Sequence, residues 1–267
     1  MTVCYIVGLG HSGSTLAERL LVHVTKACGI GEAQTTLAKW DEATPGLICS
    51  CGSTAADCLL WGEVCRAVDD SDRYATLYQA AEDLGNGLVI DSSKTIQGLR
   101  TLQGNAPYLT IRPILIVRPA LSWATTERNR EYYGTGLVPT ARLLLSWSRS
   151  MSSLYASLWF DGYPFGVLST ADLVTRPVQS AECIGLRIAR AYVPGDEMRG
   201  EFHALNGNRM RLDPARSVAR REILFGAPAA WQQVLRSALL LPAVIESLLN
   251  TGPKSPPMHL PAQRRRR

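Results

Sequence analysis

The chain has 267 residues, of which 46% are hydrophobic and 19% charged, a composition that excludes global disorder and suits one large α/β domain or two small ones. Residues 264–267 are four arginines and supply most of the net charge of +5, so the rest of the chain is nearly neutral. We therefore expect no broad nucleic-acid-binding surface. The longest apolar stretches, such as residues 238–245, are far shorter than the roughly 18–20 residues of a membrane span.

Seven cysteines, an odd number, occur in a chain that has no basic segment before its first apolar run. We interpret this first run as a buried strand and not as a secretory signal. The sequence therefore predicts a cytoplasmic protein whose thiols are reduced.

Short apolar runs alternate with segments of helical spacing along the chain. The runs are apolar throughout and do not alternate with polar residues, which is typical of a parallel sheet covered by helices on both faces. The predicted strands are residues 4–7, 29–31, 88–90, 114–117 and 166–168, and the predicted helices are residues 15–24, 74–83, 95–102, 139–159, 181–192 and 238–249.

These elements predict a single P-loop-like α/β domain, with a central parallel sheet flanked by helices, over residues 1–250. We expect a loop insert that carries cysteines at about residues 45–65. Residues 251–267 contain four prolines and the arginine run, and we expect a disordered basic tail there. Ligands of such folds bind beyond the carboxyl ends of the strands.

The first predicted strand is followed by Gly-Leu-Gly-His-Ser-Gly-Ser-Thr at residues 8–15. Glycines allow tight turns, successive backbone N–H groups can converge on an anion, and the following helix adds its N-terminal dipole. Together with the hydroxyl groups, this pattern predicts a phosphate cradle, although a strand–loop–helix unit also uses glycines for packing alone. The residues of the predicted cradle are Gly10, His11, Ser12, Gly13, Ser14 and Thr15.

This loop departs from the nucleoside-triphosphate P-loop pattern Gly-x-x-x-x-Gly-Lys-[Ser/Thr] at one position. Gly8, Gly13 and Thr15 fit the pattern, but Ser14 stands in the place of the lysine. Phosphoryl transfer from ATP uses that cation near the β- and γ-phosphates. The pattern therefore argues against an ATPase or a kinase, and His11 is the candidate cationic group within the loop.

The string His-Ser-Gly-Ser-Thr-Leu at residues 11–16 resembles the 5′-phosphosulfate loop of sulfotransferases that use 3′-phosphoadenosine 5′-phosphosulfate (PAPS), especially the bacterial small-molecule members. The resemblance implies a single α/β domain that moves a sulfonate from PAPS to a hydroxyl or amine and releases adenosine 3′,5′-bisphosphate. Other segments that resemble the same family are Gly-Glu at 31–32, Cys-Ser-Cys-Gly at 49–52, Cys-Leu-Leu-Trp at 58–61, Asp-Ser-Ser-Lys at 91–94, Val-Arg-Pro at 117–119 and His-Ala-Leu-Asn-Gly-Asn-Arg-Met-Arg at 203–211.

The resemblance also implies which residues hold the 3′-phosphate. Arg118 and Thr126 match an arginine and a serine of the family that lie eight residues apart, with threonine replacing serine. Arginine offers a forked and permanently charged donor set suited to phosphate. Arg209 and Arg211 resemble a late segment that closes over the same phosphate. The alternatives are a surface arginine at a strand end for Arg118 and a solvated basic stretch for the late pair.

Sulfonate transfer needs a base for the acceptor proton, donors for the sulfonate oxygens and a cation near the leaving phosphate. Glu32 is the candidate base, because glycan sulfotransferases of this superfamily have a glutamate at similar spacing; alternatively it caps the next helix. His11 stands where most relatives have lysine or arginine, and it either binds the sulfonate oxygens or is a tolerated loop residue. Lys94 supplies the cation, contacts the acceptor, or is an exposed lysine at a helix start.

The insert contains four cysteines that could be ligands of a metal ion, namely Cys49, Cys51, Cys58 and Cys65. Zinc sites commonly contain cysteine pairs separated by two to four residues, whereas Cys-x-Cys is tighter and no matching second pair follows. We therefore favour a reduced loop anchored by a buried Trp61, and we expect no metal.

The leading hypothesis is thus a PAPS-dependent sulfotransferase with a small-molecule acceptor, such as a natural product, and with neither nucleic acid nor a membrane as its partner. One alternative is a P-loop kinase of nucleotides or small molecules. The other is a non-catalytic nucleotide-binding protein, which the replacement of the usual cation by His11 motivates.

Overall fold

The computed structural model describes residues 1–130, 137–193 and 200–207. The helix predicted at residues 238–249 and the tail predicted at residues 251–267 lie outside these ranges. Among the helices that are described, none is long and apolar enough to cross a membrane.

Five parallel strands form the centre of the described chain. They are β1 (Thr2–Val7), β2 (Cys28–Gly29), β3 (Leu88–Lys94), β4 (Thr110–Val117) and β5 (Gly166–Ser169). Every pairing between them is parallel, and their order across the sheet is β2-β3-β1-β4-β5. This confirms the predicted parallel sheet.

Helices cover both faces of the sheet. Within the described ranges they are α1 (Ser14–Thr25), α2 (Ala33–Ala38), α3 (Trp61–Arg66), α4 (Asp70–Leu84), α5 (Ile96–Asn105), α6 (Ala120–Arg130), α7 (Leu137–Phe160), α8 (Thr170–Thr175) and α9 (Pro177–Cys183).

The central strand β1 shows why the apolar runs of the sequence do not alternate. Val3, Tyr5 and Val7 belong to a hydrophobic cluster that is closed by helices including α3, α4, α5 and α7. Cys4 and Ile6 belong to a cluster on the opposite face, which is closed by α1, α8 and α9. Successive side chains of a strand point to opposite faces, so a strand that is buried on both faces is apolar at every position.

The third strand is longer than predicted. It continues from the apolar residues 88–90 through Lys94, because Asp91 pairs with Tyr5 and Lys94 pairs with Val7 of β1. The polar segment expected to be a loop therefore lies inside the sheet.

The helix predicted at residues 181–192 is wrong beyond its first turn. α9 ends at Cys183, and Gly185 follows with a φ of 74°, a left-handed conformation that stops a helix. The chain then runs across α1, where the backbone N–H of Ala189 donates to the carbonyl of Val24 at 2.8 Å.

The insert that carries the cysteines has a defined structure. Thr44–Gly46 forms a 3₁₀ turn, and Ile48 and Thr54 form an isolated antiparallel bridge. Trp61 is fully buried at the start of α3, so the irregular part ends there and Cys65 belongs to a helix.

Candidate functional site

The carboxyl ends of all five strands lie along one edge of the sheet, because the strands are parallel. β1 leads through α1 to β2 on one side, whereas β4 leads through α6 and α7 to β5 on the other side. Neighbouring strands whose connections diverge leave a crevice, and open α/β sheets bind ligands in such crevices. Here the crevice lies between β1 and β4, where it is flanked by residues 8–13, the glycine loop, and by Arg118.

Side chains from α6, from the connection between β4 and α6, and from α8 fix the backbone of the glycine loop. Trp123 Nε1 donates to the carbonyl of Gly10 at 2.8 Å, and Arg118 Nη1 donates to the carbonyl of His11 at 2.8 Å. Thr170 Oγ1 donates to the carbonyl of Ser12 at 2.7 Å. Carbonyl oxygens repel anions, so their engagement by donors outside the loop favours an anion on its N–H groups.

The conformation of the loop depends on Gly13, which has a φ of 87°. A Cβ at this position would lie 2.9 Å from Thr170 Cγ2, so both the backbone and the packing require glycine. Ser12 is fully buried, and its Oγ has no hydrogen-bond partner among the described residues. Leaving a buried hydroxyl unpaired is costly, and an oxyanion seated on the loop would provide an acceptor.

His11 lies beside a carboxylate. Its Nε2 is 3.8 Å from Glu127 Oε1 in α6, and its side chain is 37% exposed. The ring is therefore partly open to solvent, with the Glu127 carboxylate next to it.

Arg118 and Thr126, which the resemblance links to one phosphate, both bond to Ser122, which lies four residues from each of them. Arg118 Nε donates to Ser122 Oγ at 3.0 Å, and Thr126 Oγ1 donates to the Ser122 carbonyl at 3.1 Å. Arg118 is only 9% exposed, so it is not a surface arginine. Both side chains bond to protein groups here, and a bound phosphate would compete with or add to these contacts.

Glu32 and Lys94, both predicted from sequence, form an ion pair with each other. Glu32 lies at the start of α2 but makes no capping hydrogen bond with its side chain, so the alternative of a helix cap is wrong. Lys94 ends β3 with a φ of 71°, and its carbonyl accepts the N–H of Gly8 at 3.0 Å. The ion pair is thereby joined to the first residue of the glycine loop.

Glu18, which the sequence analysis missed, links the segment before Glu32 to the strand that carries Lys94. It is fully buried in α1, and its carboxylate accepts hydrogen bonds from the N–H of Gly31 and from Ser92 Oγ, both at 2.6 Å. Burial raises the pKa of Glu18 to about 8, although these two hydrogen bonds oppose the rise. The charged or titratable residues Arg19 and His23 of the same helix are buried as well, so the sequence alone does not single out Glu18.

Asp91 is a second buried carboxylate. It accepts hydrogen bonds from the Tyr78 hydroxyl at 2.6 Å and from the N–H of Ser93 at 2.8 Å. Burial raises the pKa of Asp91 to about 6. The N-terminus of α5 is capped by Thr95, whose Oγ1 accepts the N–H of Gly98 at 3.0 Å.

The segment before Arg209 and Arg211 reaches the ion pair, whereas both arginines lie outside the described residues. A Cβ on Gly207 would lie 3.2 Å from Glu32 Oε1, which places the backbone of the segment against the candidate base. Asn206 Nδ2 donates to Thr36 Oγ1 of α2 at 3.0 Å and fixes this position.

Three of the four cysteines singled out in the sequence meet in the structure, and a histidine joins them. The ligand atoms of Cys49, Cys51, Cys58 and His203 all lie within 4.8 Å of one another. Cys65 is not part of this group. All seven cysteines are unlinked thiols.

No protein-family model and no curated protein matches the chain. Among solved structures, the chain is similar to the sulfotransferase domain of the Synechococcus PCC 7002 olefin synthase, with 15% identity over 92% of this chain and 94% of that chain and a TM-score of 0.48. It is also similar to the Deinococcus radiodurans tunicamycin resistance protein (16% identity, 71% and 99% covered, TM-score 0.41) and to a gluconokinase from Sinorhizobium meliloti 1021 (14%, 67% and 88%, TM-score 0.33). Similarities of this size do not indicate what the chain binds.

Glu18→Gln is expected to flatten the pH dependence of stability. A carboxyl whose pKa rises on folding, here from 4.5 to about 8, stabilises the fold below the lower value, and this contribution is lost as pH rises through the higher one. Each pKa unit corresponds to about 1.4 kcal/mol. In urea unfolding, the wild-type free energy should therefore fall between pH 6 and 8, above the titration of Asp91 at about 6, and the variant should change less.

Glu42→Gln is the matched control, because Glu42 is exposed, and it should keep the wild-type slope. Parallel pH profiles for the wild type and Glu18→Gln would contradict the assignment of this titration to Glu18.

Proposed function

We propose that the chain transfers a sulfonate group from PAPS to the hydroxyl or amine of a small-molecule acceptor. The observation that carries the proposal is the ion pair of Glu32 and Lys94 beside the glycine loop. A carboxylate, a cation and an anion-binding loop meet at one edge of the sheet, and sulfonate transfer needs these three groups.

The glycine loop supports a sulfonate donor better than a nucleoside triphosphate. The P-loop lysine, which contacts the β- and γ-phosphates in ATP-dependent enzymes, is replaced by Ser14. The nearby groups that can carry positive charge are instead His11 in the loop, Lys94 at the end of β3 and Arg118, which donates to the loop carbonyl of His11. We assign the 5′-phosphosulfate to the loop N–H groups, to the N-terminus of α1 and to the hydroxyl of Ser12.

We assign the 3′-phosphate to Arg118 and Thr126, which extend from the same crevice along the first turns of α6. Arg209 and Arg211 are the proposed second set of ligands for this phosphate. The arrangement would place the two charged ends of one nucleotide on both sides of the β1–β4 crevice.

In the proposed reaction the acceptor oxygen attacks sulfur, and the bond between sulfur and the bridging phosphate oxygen breaks. Adenosine 3′,5′-bisphosphate leaves with the electron pair of that bond, and the acceptor proton passes to Glu32. Lys94 holds Oε1 of the base, so Oε2 is the oxygen we assign to the proton. Lys94 and His11 stabilise the charge that develops on the sulfonate and the bridging oxygen.

The direct test is incubation of the full chain with ³⁵S-labelled PAPS and a metabolite extract, with detection of labelled products by mass spectrometry. Label transfer with release of adenosine 3′,5′-bisphosphate is the expected result. ATP hydrolysis without binding of PAPS or of the bisphosphate would favour a kinase and contradict the proposal. Calorimetric binding of the bisphosphate with no transfer to any acceptor would indicate a non-catalytic nucleotide-binding protein.

Arg118→Ala should weaken binding of adenosine 3′,5′-bisphosphate by about 10- to 150-fold, since a hydrogen bond to a charged group contributes roughly 1.5–3 kcal/mol. Isothermal calorimetry measures the loss. Arg112→Ala is the control, because Arg112 belongs to β4, the strand that Arg118 follows, but contacts the Gly185 carbonyl at 3.4 Å, away from the crevice. An unchanged dissociation constant for Arg118→Ala would remove this residue from the nucleotide site.

Glu32→Gln should lower kcat by roughly 10²- to 10⁴-fold, the usual contribution of a general base. The dissociation constant of adenosine 3′,5′-bisphosphate should change little, because the proposed base contacts the acceptor and not the nucleotide. Steady-state kinetics with an identified acceptor separate the two effects, and Glu42→Gln serves as the exposed control. Wild-type turnover in Glu32→Gln would exclude Glu32 as the base.

A further inference from the structure

Cys49, Cys51, Cys58 and His203 form a compact cluster away from the ion pair and the glycine loop. Cys58 Sγ lies 3.6 Å from Cys49 Sγ, 3.7 Å from Cys51 Sγ and 3.2 Å from His203 Nδ1. A disulfide needs about 2.05 Å between sulfur atoms, so these distances belong to separate thiols that surround a common point.

These separations are close to those of a tetrahedral zinc site. With Zn–S bonds of about 2.3 Å and a Zn–N bond of about 2.05 Å, tetrahedral geometry places two sulfurs about 3.8 Å apart and a sulfur and a nitrogen about 3.6 Å apart. Four ligands leave no open position, which is typical of a structural and not a catalytic zinc site. Three thiolates and one imidazole are also a ligand set that selects zinc over calcium or magnesium.

The surroundings of His203 agree with metal binding through Nδ1. Its other nitrogen, Nε2, lies 3.2 Å from Glu201 Oε2. A histidine that binds metal through one nitrogen commonly donates its remaining N–H to a carboxylate, which fixes the orientation of the ring. The ring is almost fully buried, so its position is also set by packing.

Hydrogen bonds between the insert and the segment around residue 203 hold the cysteine ligands in place independently of any ion. Between the first two cysteines, Ser50 donates its N–H to the Ala204 carbonyl at 3.0 Å and its hydroxyl to the Phe202 carbonyl at 2.7 Å. The Trp61 indole donates to the His203 carbonyl at 2.7 Å. Gly52, with a φ of 98°, follows Cys51, and its N–H donates to the Cys49 carbonyl at 2.9 Å, which closes the turn that contains both cysteines. The insert and the segment around residue 203 are thus docked with their ligand atoms facing each other.

The geometry points to a structural zinc site formed by Cys49, Cys51, Cys58 and His203, which ties the insert to the segment at residues 200–207. Zinc binding displaces the thiol protons and links parts of the chain that are 145 residues apart. The segment it anchors packs against Gly29 and Gly31 and then reaches Glu32. The metal therefore fixes the wall of the candidate site without entering its chemistry.

The test is the metal content of the full chain, purified with a phosphine reductant and without chelators, by plasma mass spectrometry. We expect one zinc per chain, and X-ray absorption at the zinc edge should show three sulfur ligands at about 2.3 Å and one nitrogen at about 2.0 Å. Removal of the metal by a strong chelator should lower the midpoint of thermal unfolding, and one equivalent of Zn²⁺ should restore it.

Cys58→Ser and His203→Ala should each lose stoichiometric zinc, whereas Cys65→Ser, altered in the same insert but outside the cluster, should keep it. Cys183→Ser, an exposed position far along the chain, is a second control. Wild-type protein with less than about a tenth of an equivalent of metal and seven titratable thiols would overturn the proposal, even if a variant fails to fold. Stoichiometric zinc that persists in both ligand variants would also overturn it.

These measurements do not depend on the proposed reaction. If the zinc is present but adenosine 3′,5′-bisphosphate does not bind, the metal site stands and the sulfotransferase proposal fails. If the nucleotide binds and transfer occurs in protein that contains no metal, the sulfotransferase proposal stands and the zinc proposal fails.

Discussion

The candidate site depends on the burial of a parallel sheet on both faces. Because β1 is covered by helices on each face, none of the side chains in its interior can reach solvent along the strand. The polar groups of the candidate site therefore lie where the strands end. The glycine loop, Lys94 and Arg118 extend β1, β3 and β4 in this way. The interactions that keep them together are carbonyl contacts: Trp123, Arg118 and Thr170 each bond a different peptide of the loop. A loop fixed by its carbonyls can present its N–H groups with little reorganisation.

Two carboxylates inside this structure are unfavourable in their ionised form, and hydrogen bonds hold both in place. Glu18 and Asp91 are fully buried, and burial raises the pKa of both groups. Both carboxylates lie near the ion pair of Glu32 and Lys94. Glu18 accepts a hydrogen bond from Gly31, which precedes Glu32, and Asp91 lies three residues before Lys94 in β3. A buried polar network that is well satisfied makes a local structure unique at some cost in stability. Their positions suit a role in orienting Glu32 and Lys94, the proposed base and cation.

The fold class could be predicted from the sequence because the spacing of apolar residues along the chain reflects which faces of a strand or helix are buried. Unbroken apolar runs predicted a parallel sheet, and the strand at residues 166–168 agrees closely with β5. The sequence was insufficient where polar groups are buried. The pattern predicts that β3 ends before Asp-Ser-Ser-Lys, although Tyr78 and Glu18 satisfy polar side chains of this segment inside the sheet. The partners that satisfy them come from distant elements, and local pattern carries no information about such pairs.

The same limit applies to the cysteine cluster. Spacing rules look for a second ligand pair near the first, and Cys65 was the nearest candidate, but the fourth ligand atom comes from His203. Chain folding brings it there because Gly29 N–H donates to Glu201 and His203 N–H donates to Gly29, so residues 201–203 extend the edge of the sheet beside β2.

A two-residue edge strand offers few backbone hydrogen bonds to hold a segment that returns after some 170 residues of chain. Closing so long a loop has an entropic cost that increases with its length, and the cation–π contact between Arg19 and Phe202 is a modest compensation. Hydrogen bonds from Ser50 and Trp61 to residues 202–204 also hold the segment. A metal that binds both the insert and the returning segment would add to them, since metal affinity adds to folding free energy when the site is absent from the unfolded chain. The position of Gly207 against Glu32 would then be set by the far end of the insert. On this argument the cysteine insert belongs to the architecture of the site, although none of its side chains has a part in the proposed reaction.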